Sequence, residues 1–157
     1  MKTLLWLEDD PRTVQEQIYF VRKHFSVELV SQPHEFANIL NDSKYDVQAI
    51  ILDIMLLGVN DLSTLDIDAD TEMGYEAGWR VLEYYLRADN SNFENIPVLV
   101  LSVRSPKHKQ KLLDDLNKRK GAKIDFIGKR EKHKKGEKNW NDKFADWIRA
   151  VESGGKI

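Results

Sequence analysis

A chain of 157 residues with 24 Lys or Arg against 26 Asp or Glu carries a formal charge of −2, has the length of one domain with an ordinary core, and by bulk charge singles out no partner. The absence of cysteine excludes a disulfide framework, a thiol nucleophile and a cysteine-bound metal, in keeping with a reducing compartment. The start Met1-Lys2-Thr3 leads into only four apolar residues, too few for a signal peptide, and no apolar stretch approaches the roughly 20 residues that span a bilayer, so a cytoplasmic protein is expected.

Apolar runs and segments of helical periodicity alternate five times. The first strand is predicted over residues 3–8 and closes on the acids Glu8, Asp9 and Asp10. Asp10 is placed to cap a helix whose first turn takes Pro11 and whose apolar stripe is Val14, Ile18, Val21 and Phe25. A strand over 27–31 precedes a shorter helix opened by Pro33 and carrying Phe36, Ile39 and Leu40. The third strand, 47–54, contains the run Ala49-Ile50-Ile51-Leu52-Asp53, and Trp79, Leu82 and Leu86 mark the helix after it. A strand over 97–102 ends on Ser102, and Ser105-Pro106 repeats the cap-then-proline signal ahead of Leu112, Leu113 and Leu116. The fifth strand, 123–127, leads to Lys129, and a last helix with Phe144, Trp147, Ile148 and Val151 ends at the glycine pair 154–155. Such regular alternation predicts an α/β fold: a doubly wound parallel sheet of five strands, in a three-layer α/β/α sandwich.

In parallel sheets ligands collect at the carboxyl ends of the strands. The acids after the first strand, Asp53 and Lys129 would therefore meet at one edge. Carboxylates that close together repel unless a cation sits among them, and a few hard oxygen donors suit magnesium, which keeps several waters. A phosphoryl acceptor site is the natural reading.

Two connections leaving that edge are longer than the scheme needs. Residues 57–76 hold six acids and no base, and residues 130–139 are almost all charged. Long loops are commonly functional or disordered, and the acidic one is expected to form a solvated lid that limits access to the site. Its alternating Asp66, Asp68, Asp70 and Glu72 suggest calcium, but the sixth and twelfth places of such a loop hold Thr71 and Ala77 where glycine and a bidentate glutamate are needed. The four histidines show no ligand spacing. Residues 107–138 carry thirteen bases against five acids, a local +8 that leaves −10 elsewhere. The molecule is expected to be electrically bipolar.

Four motifs in this order, Leu4 to Pro11 (LLWLEDDP), Ile50 to Leu56 (IILDIML), Pro97 to Ser102 (PVLVLS) and Asp125 to Lys129 (DFIGK), resemble the receiver domain of two-component response regulators over nearly the whole chain. The resemblance implies a flavodoxin-like sheet in the order 2-1-3-4-5, here a single receiver domain over 1–157 with insertions at about 57–76 and 130–139. It further implies that Asp53 accepts a phosphoryl group from a sensor histidine kinase or phosphotransfer protein. Magnesium would be held by Asp9 directly, by Glu8 through water, by Asp53 and by the Met55 backbone carbonyl. Ser102 would bond the phosphoryl group and report it, Lys129 would pair with a phosphoryl oxygen, and Phe126 would be the switch aromatic.

Three departures from that pattern stand out. Arg130 follows the lysine where the family has a proline in a cis peptide, Val103 follows Ser102 where the family has a very small residue, and the acidic loop replaces a short one. A cis bond before a non-proline residue costs roughly 2.5–4 kcal/mol, so that loop is expected to be trans. Two alternatives are weighed. A degenerate receiver that never bound phosphoryl would have no chemical need for Glu8, Asp9, Asp53, Ser102 and Lys129 together. A dehalogenase-type magnesium phosphohydrolase needs an acid two residues after its nucleophile, where Met55 stands. The chain is therefore expected to be a signalling phosphoacceptor and no enzyme of substrate turnover, with output through a protein partner on the basic 107–138 region. A second copy of the chain is also compatible, a membrane is not expected, and nucleic acid is disfavoured by the scarcity of interleaved aromatics.

Overall fold

Each apolar run of the sequence becomes a strand of one sheet. The computed structural model describes residues 2–59, 61–103, 106–119, 121–129 and 139–154. In it β1 (Thr3–Leu7), β2 (Ser26–Val30), β3 (Val47–Leu52), β4 (Val98–Ser102) and β5 (Ile124–Gly128) pair in parallel in the order β2-β1-β3-β4-β5. This is the topology the sequence predicts, with strand limits that agree to within two residues.

Period-two alternation divides the strand residues between two cores. Leu4, Trp6, Ala49, Ile51, Leu99 and Leu101 face one side, where they are covered by α1 (Gln15–Val21) and α5 (Trp140–Glu152) through Ile18, Val21, Phe144, Trp147, Ile148 and Val151. Leu5, Leu7, Ile50, Leu52, Val98 and Val100 face the other. There they meet Phe36 of α2 (Pro33–Leu40), Trp79 and Val81 of α3 (Ala77–Val81), and Leu113 and Leu116 of α4 (Gln110–Lys118). Strands buried on both faces are what near-continuous apolar runs signify.

Three local expectations need correction. Asp10 occupies the N-cap position of a single 3₁₀ turn, Pro11–Val14, ahead of α1, but its side chain makes no cap bond. Its carboxylate instead accepts from Arg12 Nε at 2.9 Å, because a cationic donor two residues on outcompetes the first-turn amides. The helix marked by Trp79, Leu82 and Leu86 is α-helical only to Val81 and then widens into a π turn over Leu82–Leu86. That turn closes on Arg87, whose N–H bonds Leu82 O at 2.9 Å. Ser105, the expected cap before α4, lies outside the described residues, as do residues 130–138 of the second insertion with Arg130.

The acidic loop is the third correction. Leu56, Val59, Leu62, Leu65 and Ile67 are buried in the same core as α2 and α3, and the buried Thr71 donates its hydroxyl to Val59 O at 2.7 Å. Asp61 and Asp70 accept from the amides of Ser63 and Glu72 at 2.8 Å each, closing local turns. The chain returns through Glu72, Met73 and Gly74, all at positive φ, and Gly74 O receives Leu56 N–H at 2.9 Å. An added Cβ at Gly74 would sit 2.1 Å from Leu56 O, so this return admits glycine alone. Apolar residues spaced between the acids pull the loop onto the flank of the sheet. It is a packed lobe on its apolar side, while Asp61, Asp66, Asp68, Asp70 and Glu72 stay exposed as expected.

Candidate functional site

Backbone bonds fix the carboxyl edge of the sheet. Glu8 N–H bonds Val30 O at 3.0 Å, Asp53 N–H bonds Leu7 O at 3.0 Å, and Lys129 N–H bonds Ser102 O at 2.8 Å. Each expected site residue therefore leaves its strand at one level. Glu8 and Asp53 are buried, at 1% and 6% exposure, and carboxylate oxygens of Glu8, Asp9 and Asp53 lie within 4.8 Å of one another. Lys129 reaches across the sheet and donates from Nζ to Glu8 Oε1 at 2.8 Å, in an ion pair hidden from solvent on both sides. Asp9 accepts from Leu57 N–H at 3.0 Å, which ties the first residue of the acidic loop to the site.

The charges are unequal, and this decides their protonation. Burial first, then Glu8 as both neighbouring charge and hydrogen-bond partner, push the Asp53 carboxyl from the usual 3.8 up to about 9, against the pull of Lys129. Asp9 is raised as well, by burial foremost and by the Glu8 charge, with Leu57 N–H acting in the opposite direction. Asp10 is held below the usual range by its hydrogen bond to Arg12. Among the described residues one ammonium serves three carboxylates. Such a set can hold a proton at Asp53 or a hard cation among its oxygens, and a divalent ion returns a carboxyl to its ionised form.

The cleft above these groups, about 460 Å³, is lined by Glu8, Asp9, Asp53 and Lys129 together with Asp10, Thr13, Met55, Leu57, Val103 and Trp140. The structure thus brings together Glu8, Asp9, Asp53, Lys129 and Met55 as expected. Ser102 is fully buried at the end of β4, directly before Val103, and Ser102 and Phe126 stand outside the lining. Phe126 packs against the core and stacks parallel to Trp79, with ring centroids 6.3 Å apart. Of residues 57–76, Leu57 alone among the described ones lines the cleft.

Three contributors are absent from the sequence reading. Gly78, in the first turn of α3, comes so close to the exit of β3 that an added Cβ would lie 2.1 Å from Asp53 O, and its N–H bonds Ile54 O at 2.9 Å. A glycine inside a helical pattern is the signal that could have found it. Trp140 extends the apolar stripe of α5 one turn toward the site. Glu76, at 6% exposure, ties the end of the acidic loop to the turn before α4, with Oε1 3.4 Å from His108 Nε2 and 3.7 Å from Lys109 Nζ.

No family model and no curated protein sequence matches the chain. Among solved structures it is similar to the response regulator DrrB of Thermotoga maritima, an OmpR/PhoB homologue, with a TM-score of 0.55 and 16% identity over 98% of this chain and 54% of that one. It is also similar to a response regulator receiver domain from Rhodospirillum rubrum, with a TM-score of 0.50 and 17% identity over 96% of this chain and 90% of that one. The fold is that of a response regulator receiver domain. The chain spans about half the length of DrrB. Within the receiver fold the acids and the lysine occupy the carboxyl edge of the sheet, where ligands bind in doubly wound folds.

Proposed function

We propose that this chain is a phosphoacceptor receiver of a two-component relay, a single domain that takes a phosphoryl group from a phosphohistidine of a sensor histidine kinase or phosphotransfer protein onto Asp53. The observation that carries the reading is the burial of Asp53 between two further carboxylates and beside one ammonium, on the receiver fold. A carboxylate that attacks an already anionic phosphoryl group needs that charge offset. Glu8, Asp9 and Asp53, with the Met55 carbonyl, are the residues that would hold magnesium, which when bound supplies the positive charge that keeps Asp53 ionised and neutralises phosphoryl oxygens. Lys129 exchanges its bond to Glu8 for a phosphoryl oxygen, Ser102 bonds the phosphoryl group, and Phe126 follows it as the switch aromatic. The protein is then a signalling phosphoacceptor that catalyses no substrate turnover, in the cytoplasm.

Output passes to a protein partner through the basic 107–138 region or to a second copy of the chain, with nucleic acid and membrane disfavoured. Part of that positive charge is engaged within the molecule: Lys109 pairs with Glu76, Arg119 with Asp89, Lys123 with Asp125 and Lys129 with Glu8. Among the described residues the other bases of the region include Lys111 and Lys118 of α4, and residues 130–138 lie outside the described residues. No helix among the described residues is long and apolar enough to cross a membrane.

Intact mass after incubation with magnesium and acetyl phosphate tests the reading. One phosphoryl addition is expected for the native chain and none for Asp53→Asn; an equal addition to the variant would place the chemistry elsewhere.

A further inference from the structure

The cleft over Asp53 has two chemically different halves. Its floor is charged: Glu8, Asp9, Asp53 and Lys129. Among the described residues the rest of its lining is mostly uncharged, Thr13, Met55, Leu57, Val103 and Trp140, with Asp10 bonded to Arg12. At about 460 Å³ it falls in the range of about 300–1,000 Å³ typical of small-molecule sites, which are largely apolar with a few placed polar groups. A phosphoryl group on the floor uses only the charged half.

In-line transfer puts the attacking and leaving atoms on opposite sides of phosphorus. Asp53 attacks from the floor, so the leaving group points away from it, toward the rest of the lining. Trp140 is the aromatic residue of that lining, and it is half-buried while Trp6, Trp79 and Trp147 are buried in the cores. It opens α5, where Asn139 caps the helix by accepting from Asp142 N–H at 2.9 Å, and it packs against the core cluster that holds Phe144. A side chain anchored on one flank and open to the cleft on the other is a fixed surface.

We propose that Trp140 determines which phosphodonor the site accepts, by giving a flat apolar surface to a planar heteroaromatic leaving group, the imidazole of a phosphohistidine, and little to a small polar one. The inference rests on the reading of Asp53 as phosphoacceptor. In the step concerned an Asp53 carboxylate oxygen forms the new P–O bond as the P–N bond of the donor breaks. The bonding pair stays on the ring nitrogen, and an imidazole protonated at its other nitrogen leaves neutral.

The test is the rate of phosphorylation of the full chain, in magnesium, by phosphoimidazole and by phosphoramidate, read by intact mass for the native protein, Trp140→Ala and Trp140→Phe. Aromatic pairs contribute enough that Trp140→Ala is expected to lower the ratio of the two rates about five-fold, and Trp140→Phe to restore most of it. A ratio unchanged in Trp140→Ala, or a Phe variant no better than Ala, overturns the role of Trp140 while leaving Asp53 in place. A native chain that neither donor phosphorylates overturns the reading of Asp53 itself.

Discussion

At the amino ends of β4 and β5, Arg87 buries its guanidinium among carbonyl oxygens; at the carboxyl ends of β1, β3 and β5, three carboxylates share one ammonium among the described residues. Arg87 is 6% exposed and donates to Leu86 O at 3.1 Å, Phe93 O at 2.9 Å, Ile96 O at 2.5 Å and Ala122 O at 3.3 Å. Burial draws it down to about 10, still cationic at neutral pH, and its donors are met by neutral dipoles. Asp53, equally buried, faces two like charges and is driven up to about 9. A buried charge whose hydrogen bonds are all answered holds structure together and leaves nothing to react. A buried charge left in conflict is stabilised by an added ligand, and that is the mark of a binding site.

The contrast can be broken at either end. Arg87→Met takes the guanidinium donors from four carbonyls, of which Phe93 O keeps Ile96 N–H, and is expected to lower stability by about 3 kcal/mol or more, with phosphorylation of the folded fraction retained. Lys129→Met should show the reverse in magnesium, where a cation among the carboxylates takes the place of the ammonium beside Glu8: a smaller stability loss in urea unfolding, and phosphorylation largely lost. If the two variants behave alike, the distinction between the edges fails. Gly78→Ala comes next, because a Cβ 2.1 Å from Asp53 O forces α3 away from the exit of β3; overpacking of this kind costs about 1–3 kcal/mol, and slower phosphorylation should accompany the drop in melting temperature. Smaller still is the effect on the cation. Asp9→Ala should weaken magnesium binding about tenfold, about 1.4 kcal/mol, while Asp10→Ala, whose carboxylate serves Arg12, changes it little; Trp fluorescence during titration separates them.

The pH dependence carries the same contrast. A carboxyl whose folded value lies above its unfolded one contributes stability fully present below 3.8, and that contribution fades as pH rises toward about 9, because the unfolded chain releases the proton first. The metal-free native protein should therefore lose stability between about pH 5 and about pH 8, Asp53→Asn should lose less, and magnesium should flatten the native curve.

The strands were legible because a sheet buried on both faces writes itself as continuous apolar runs, and the positions of Glu8, Asp9, Asp53 and Lys129 followed from where those runs stop. What escaped depended on partners distant in sequence. Arg87 draws no notice in the sequence, because its partners Phe93, Ile96 and Ala122 fold around it only in the structure. Asp10 reads as a cap because Arg12 cannot be weighed against the first-turn amides without geometry. The acidic loop reads as solvated when its charges are counted, yet Leu62, Leu65 and Ile67 between them decide its place. Glu8 and Lys129 were expected to face magnesium and phosphate, and their direct bond across the sheet appears only in three dimensions.

The most direct test of the claim that Asp53 is held in electrostatic conflict for a cation and a phosphoryl group is its own titration, followed by the carboxyl carbon signal in NMR with and without magnesium. The account predicts a proton retained well above the usual carboxylate range in the absence of the ion, and an ionised carboxylate at neutral pH in its presence. Titration near 3.8 under both conditions would contradict it.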